Sequence, residues 1–292
     1  MTRPDRIRSI GVLGAGQMGA GIAQVAAASG LPVVLTDREQ RFLDRALAGI
    51  EKSLTRLQEK GSITADARGA ALARIRTTAD LDALAPCDFV VEAVNENLDL
   101  KSGLFQSLDR LCRPDVILAS NTSSLSITRI GAVTRRPSRV IGMHFMNPVP
   151  IMQLVEIIPG QATSTETTEE TRALALRLGK TPVVSQDLPG FISNRILMPL
   201  INEAAFALYE GVGTREDIDT VLTLGMRHPM GPLRLADFIG LDTCLAIMDI
   251  LHQGFGDPKY RPCPLLRRLV DAGHLGRKSG RGFYDYTDEA KL

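Results

Sequence analysis

A run of small residues, Gly14-Ala15-Gly16-Gln17-Met18-Gly19, stands between the apolar stretch Ile10-Gly11-Val12-Leu13 and an alanine-rich segment reaching Ser29. The spacing is G-x-G-x-x-G, after a strand and at the opening of a helix. It commits the chain to a tight turn that feeds a helix packed closely on its strand. Gly14 permits the turn, Gly16 opens the backbone to a pyrophosphate, and Gly19 lets the helix approach the strand. The first helical N–H groups, with the helix dipole behind them, then face the phosphates. A second apolar run, Val33-Val34-Leu35-Thr36, ends in Asp37. A carboxylate there accepts hydrogen bonds from an adenosine ribose and repels a 2′-phosphate. Loop and acid together predict a dinucleotide cofactor, NAD in preference to NADP. Arg38 argues the other way, since an arginine after the acid can accommodate that phosphate.

Further short apolar runs follow: Ile75-Arg76-Thr77, Phe89 to Glu92, Val116 to Ala119, Val140 to Met143, Leu154 to Ile158 and Pro182 to Val184. Runs of this kind separated by helices predict a mostly parallel sheet covered on both faces. The long stretch from about Gln40 to Ala73 carries one apolar stripe, Leu43, Leu47, Ile50, Leu54 and Leu57, and predicts a helical arm extending from the sheet. After Pro189-Gly190 the strand pattern stops. Phe191 to Glu210, a segment capped by Thr214 and Asp217, Leu233 to Gln253 and Leu265 to Asp271 read as helices. The first is apolar over most of its circumference, which predicts burial against a second subunit. The expectation is therefore an α/β fold. A Rossmann-type domain would span residues 1–186, with the arm at about 40–73, and an all-helical domain residues 187–292.

A formal net charge of +1 gives no electrostatic case for nucleic acid or a membrane surface. No stretch is long and apolar enough to span a bilayer. Cys87, Cys112, Cys244 and Cys263 lie far apart, which suggests neither a metal site nor a disulfide framework, but free thiols in a reducing cytoplasm. The opening residues Met1 to Arg6 carry no signal-peptide core.

Polar groups stand where several strands end. Glu96 and Asn97 follow one, Ser120-Asn121-Thr122-Ser123-Ser124 another, and His144 a third. In open parallel sheets such ends line the ligand crevice. Glu156 sits inside the apolar run Leu154-Val155-Glu156-Ile157-Ile158, where a carboxylate is costly unless paired. His144, in the neighbouring run, is its natural partner, and a histidine held by a buried acid is a general base of fixed tautomer. Plainer alternatives exist. Asn121 to Ser124 can simply cap a helix beginning near Ser126, Glu156 can be an edge residue, and Asn194 an ordinary helix-surface amide.

Taken together, these segments resemble the 3-hydroxyacyl-CoA dehydrogenases. So do His144-Phe145-Met146-Asn147-Pro148-Val149-Pro150, Pro189-Gly190-Phe191 with Asn194-Arg195, His228-Pro229-Met230-Gly231-Pro232 and Gly280-Arg281-Gly282-Phe283-Tyr284. The resemblance covers nearly the whole chain and is strongest to the short bacterial form acting on 3-hydroxybutyryl-CoA. Many relatives carry Phe at the position of Met146. The resemblance implies NAD-dependent, reversible oxidation of (S)-3-hydroxyacyl-CoA to 3-oxoacyl-CoA in fatty acid metabolism, including β-oxidation. It gives His144 the acid/base role, Glu156 its orientation, and Ser123 and Asn194 contacts to the reacting end of the substrate. It assigns NAD to the glycine loop, Asp37, Glu96, Lys101, Ser123, Asn147 and Lys278, and the CoA portion to Ser53 and Lys60. On residue type alone, Lys60 is a solvated lysine. A homodimer through the helical domain is also implied. Two other functions fit parts of the pattern: a sugar-acid dehydrogenase of the gulonate type, and a nucleotide-binding protein without catalysis. The Ser53 and Lys60 stretch argues against the first, and the intact set of Ser123, His144, Glu156 and Asn194 against the second.

Overall fold

The computed structural model describes residues 6–287; the opening residues read above for a leader lie largely outside that range. The chain divides into two compact units, the first ending at Leu188 and the second beginning at Pro189.

In the first unit, β1 (Ile10–Leu13) leads through the glycine loop into α1 (Gln17–Ala28), then β2 (Val33–Thr36), α2 (Gln40–Glu59), α3 (Ala65–Ala73) and β3 (Ile75–Thr78). There follow β4 (Phe89–Glu92), α4 (Leu98–Leu111), β5 (Ile117–Ser120), α5 (Ile127–Ala132), β6 (Val140–Phe145), β7 (Leu154–Pro159), α6 (Thr165–Arg177) and β8 (Thr181–Val184). One eight-stranded sheet results, in the order β3-β2-β1-β4-β5-β6-β7-β8. All pairings are parallel except β6 with β7. The first six strands follow the doubly wound nucleotide-binding order, whose reversal between β1 and β4 opens a crevice at the strand ends. Strands β1, β4, β5 and β6 are buried along their whole length, which explains their unbroken apolar runs.

The stretch expected to form one long arm is two helices. Gly61 takes a φ of 70°, and Thr64 caps α3 by accepting from the Ala67 amide, so the helix stops and restarts. The pair is not a free projection. Leu43, Ala46, Ile50 and Leu54 of α2 are buried in the core beside Ile22, Ala23 and Ala26 of α1. Each fully buried leucine or isoleucine there contributes roughly 1.5–3 kcal/mol.

The second unit contains α7 (Ser193–Tyr209), α8 (Arg215–Thr220), α9 (Pro232–Ile239), α10 (Leu241–Phe255) and α11 (Pro264–Asp271). The span Leu233 to Gln253, expected as one helix, is broken at Gly240, whose φ is 104°. The glycine motif near the C-terminus is a latch. Buried Asp237 accepts the Phe283 and Tyr284 amides, each at 2.9 Å, and the Tyr286 hydroxyl at 3.0 Å. A side chain on Gly282 would collide with that carboxylate. Tyr284 in turn donates to Asp219 at 2.8 Å, and Asp219 receives the Leu233 and Arg234 amides that open α9.

Candidate active site

The three glycines of the loop meet three different constraints. Gly14 has a φ of 107°, and a Cβ there would lie 2.7 Å from the Ala93 carbonyl oxygen. A Cβ on Gly19 would collide with the Gly14 carbonyl. Gly16 is different: a Cβ would meet nothing within 4 Å. The fold needs the first and third glycines, whereas the space over Gly16 is left for something outside the chain. A pyrophosphate at the N-terminus of α1 fits that space.

Asp37 is locked to the same loop, with the Ala15 amide donating to its Oδ2 at 2.7 Å. That bond leaves the carboxylate further lone pairs for ribose hydroxyls. The Arg38 guanidinium turns toward Glu39 at 3.3 Å and is largely exposed.

Beyond β4 lies a chain of buried charges. Glu92 and Lys101 are both fully buried, with Nζ 2.6 Å from Oε1. Glu92 also accepts the Ser120 hydroxyl at 2.7 Å and the Val94 amide at 2.6 Å. Lys101 reaches the Val94 carbonyl at 3.2 Å and Glu96 at 3.6 Å. Glu96 then gathers the loop after β5. Its Oε1 accepts the Thr122 hydroxyl at 2.6 Å, the Ser123 amide at 2.8 Å and the Ser123 hydroxyl at 3.0 Å. Burial by itself pushes the Glu96 carboxyl upward. The charge of Lys101 and the Thr122 and Ser123 donors outweigh it, so this group titrates below the usual carboxylate range.

This network settles what the Asn121 to Ser124 segment does. It does not cap α5, whose N-cap is Ser126. Thr122, Ser123 and Ser124 are tied to Glu96, and the Asn121 side chain accepts the Phe145 amide at 2.9 Å, joining the loop to β6. Lys101 is wholly buried, so its link to the crevice runs through Glu96 rather than through an exposed ammonium.

His144 and Glu156 stand directly opposite each other in the antiparallel β6–β7 pairing. Cross-strand side chains at such a position point to the same face. His144 Nδ1 lies 2.8 Å from Glu156 Oε2, with the two side chains 10% and 1% exposed. An ionised carboxylate only accepts, so Nδ1 carries the proton and the lone pair belongs to Nε2. An imidazole held in this way is chemically able to act as an acid or base through Nε2.

Asn147 is exposed in the turn after β6. Ser53 lies on α2, and Lys60 is its C-terminal cap. Asn194 and Lys278 belong to the second unit. Asn194 is buried in the first turn of α7, which is entered through two residues of positive φ, Gly190 at 75° and Phe191 at 50°. Left-handed backbone is costly for phenylalanine, and such strain gathers at functional positions. Lys278 Nζ pairs with Asp242 at 2.6 Å. Glu92 is a member of this network that the sequence reading did not name as a site residue. The signal at Glu92 was available: like Glu156, it is a carboxylate in an apolar run.

Residues 9–188 match the family described as 3-hydroxyacyl-CoA dehydrogenase, NAD binding domain, and residues 190–286 match its C-terminal domain. The chain is 60% identical over 276 residues to the probable 3-hydroxybutyryl-CoA dehydrogenase of Deinococcus radiodurans, covering 94% of this chain and 99% of the relative. It is 54% identical to the 3-hydroxybutyryl-CoA dehydrogenase of Bradyrhizobium diazoefficiens, covering 96% of each. The crystal structure of (S)-3-hydroxybutyryl-CoA dehydrogenase from Ralstonia eutropha is similar, with a TM-score of 0.94 and 50% identity, over 96% of this chain and 99% of that one.

Proposed function

The chain belongs to the 3-hydroxyacyl-CoA dehydrogenase family, whose activity is NAD-dependent oxidation of 3-hydroxyacyl-CoA, and on that premise we propose how its own residues perform the reaction. The observation that carries the proposal is the 2.8 Å pair of His144 and Glu156. Oxidising a secondary alcohol removes a proton from oxygen and a hydride from carbon. Bound NAD supplies the hydride acceptor. His144 Nε2 takes the hydroxyl proton, and Glu156 stabilises the imidazolium that forms. In the reverse direction the protonated His144 donates to the ketone oxygen. A positioned acid/base group of this kind contributes roughly 10²–10⁴-fold.

Ser123 and Asn194 hydrogen-bond the reacting end of the substrate. Glu96 holds Ser123 in position, and Lys101 and Glu92 hold Glu96. Asp37 binds the adenosine ribose, the glycine loop the pyrophosphate, and Asn147 and Lys278 complete the cofactor contacts. Ser53 and Lys60 bind the CoA portion. The names of relatives at 54–60% identity support 3-hydroxybutyryl-CoA as the substrate and argue against a free sugar acid.

Exposed apolar side chains in the second unit, Ile196, Val212, Leu224 and Met226 at 63–79%, support a homodimer through its helices. A monomer in sedimentation at micromolar concentration would remove that part. The four buried thiols and the bacterial relatives support a cytoplasmic location, which fractionation of the native cell would test.

Reduction of acetoacetyl-CoA by NADH tests the substrate. Turnover with acetoacetyl-CoA and far weaker turnover with NADPH are expected, and no oxidation of gulonate when NAD replaces NADH. A preference for the free sugar acid would contradict the assignment.

A further inference from the structure

A groove of about 500 Å³ runs between α1, α2 and the turn after β6. It begins at Gly16 and Gln17 of the glycine loop and passes Asn147 and Pro148, which follow closely on His144. On the α2 side its wall includes Phe42 and Ala46 along with Arg45, Gly49 and Ser53, the last three at successive i, i+4 positions and so on one face of the helix.

Gly49 is the unexplained member of that wall. Glycine is the poorest helix former after proline, and α2 continues for ten residues beyond it. Its φ is not positive, and a Cβ built on it meets nothing within 4 Å. Neither backbone conformation nor packing therefore demands glycine. The contrast with Gly21, on the opposite wall, is direct: a Cβ there would lie 2.7 Å from Val149. Gly21 is needed by the fold, whereas Gly49, like Gly16, borders space that the chain leaves unfilled.

We propose that Gly49 sets the width of this groove for the pantetheine arm of the acyl-CoA substrate, and so determines specificity for thioesters that carry that arm. The proposal rests on the CoA reading given above. The chemistry of the walls suits such a chain. Ala46, Val149 and Pro150 offer apolar surface to its methyl and methylene groups, and Gln17, Gln24 and Ser53 offer hydrogen bonds to its amides. Arg45 makes no ion pair among the described residues, and its guanidinium matches the phosphates beyond the arm. A side chain at position 49 would take up space in this groove.

The test compares Gly49→Ala and Gly49→Leu with Gly69→Leu, a control glycine on α3 that is also open around its Cβ but lies outside the groove. Substrates are acetoacetyl-CoA and the acetoacetyl thioester of N-acetylcysteamine, which lacks most of the arm. Leucine favours helix, so folding is retained, and thermal melting checks it. Gly49→Leu is expected to raise KM for acetoacetyl-CoA at least about tenfold, with Gly49→Ala between it and wild type. The truncated thioester's kcat/KM and the KM for NADH should stay within about twofold, and Gly69→Leu should change nothing. An unchanged KM for acetoacetyl-CoA in Gly49→Leu would overturn the proposal. So would an equal loss with the truncated thioester, or an equal rise in KM for NADH, which would give the groove to the dinucleotide. Failure of the wild type to reduce acetoacetyl-CoA at all would strike the CoA reading instead.

Discussion

The pair at the centre of the proposed reaction is an imidazole beside a carboxylate, His144 and Glu156. In the proposed reaction the Glu156 carboxylate stabilises the imidazolium that proton abstraction creates. Glu156→Gln retains a hydrogen-bond acceptor but removes the charge. We expect it to lower kcat at least about tenfold while leaving NADH affinity and thermal stability near wild type. Loss of folding with retained specific activity would make Glu156 structural. The pair was legible in the sequence because an acid inside an apolar run must have a partner, and His144 lay in the neighbouring run. Glu92 bears the same mark in Phe89-Val90-Val91-Glu92. Its partner, Lys101, falls on α4, where a lysine looks like an ordinary solvated residue until the structure shows it fully buried. Spacing alone gives no sign of that burial.

At the scale of elements, the strands were readable because burial on both faces leaves continuous apolar runs. The helices beyond β2 and in the second unit were readable in kind but not in extent. Gly61 and Gly240 end helices through left-handed backbone, yet Gly49, Gly69 and Gly103 sit inside helices. Composition cannot separate these two uses of glycine. Besides its local N-cap Ser126, α5 has a second acceptor that was hidden because it comes from far along the chain. Asp187 accepts the Ser126 hydroxyl and the Ile127 amide, each at 2.9 Å, and the Thr128 amide at 2.7 Å. An acid receiving the first N–H groups of a helix acts as a cap and opposes the dipole. Asp187→Ala should therefore cost about 1–2 kcal/mol in urea unfolding, while Asp187→Asn should cost less. Equal stability of all three proteins would show that α5 does not depend on this side chain.

For the whole molecule, one topological event sets up the His144–Glu156 pair. The sheet reverses direction after β6, and the return strand β7 sets Glu156 opposite His144. The preceding parallel strands bring the glycine loop, Glu96 and the Ser123 loop to their carboxyl ends. A mostly parallel sheet was expected from the sequence, but where its direction changes was not, since an apolar run looks the same in either sense. The claim that His144 transfers the proton is tested most directly by single-turnover reduction of acetoacetyl-CoA in the presence of saturating NADH, using His144→Gln. The account predicts a chemical step slowed at least about 10²-fold, with NADH affinity within about threefold of wild type. A wild-type rate in that variant would contradict it.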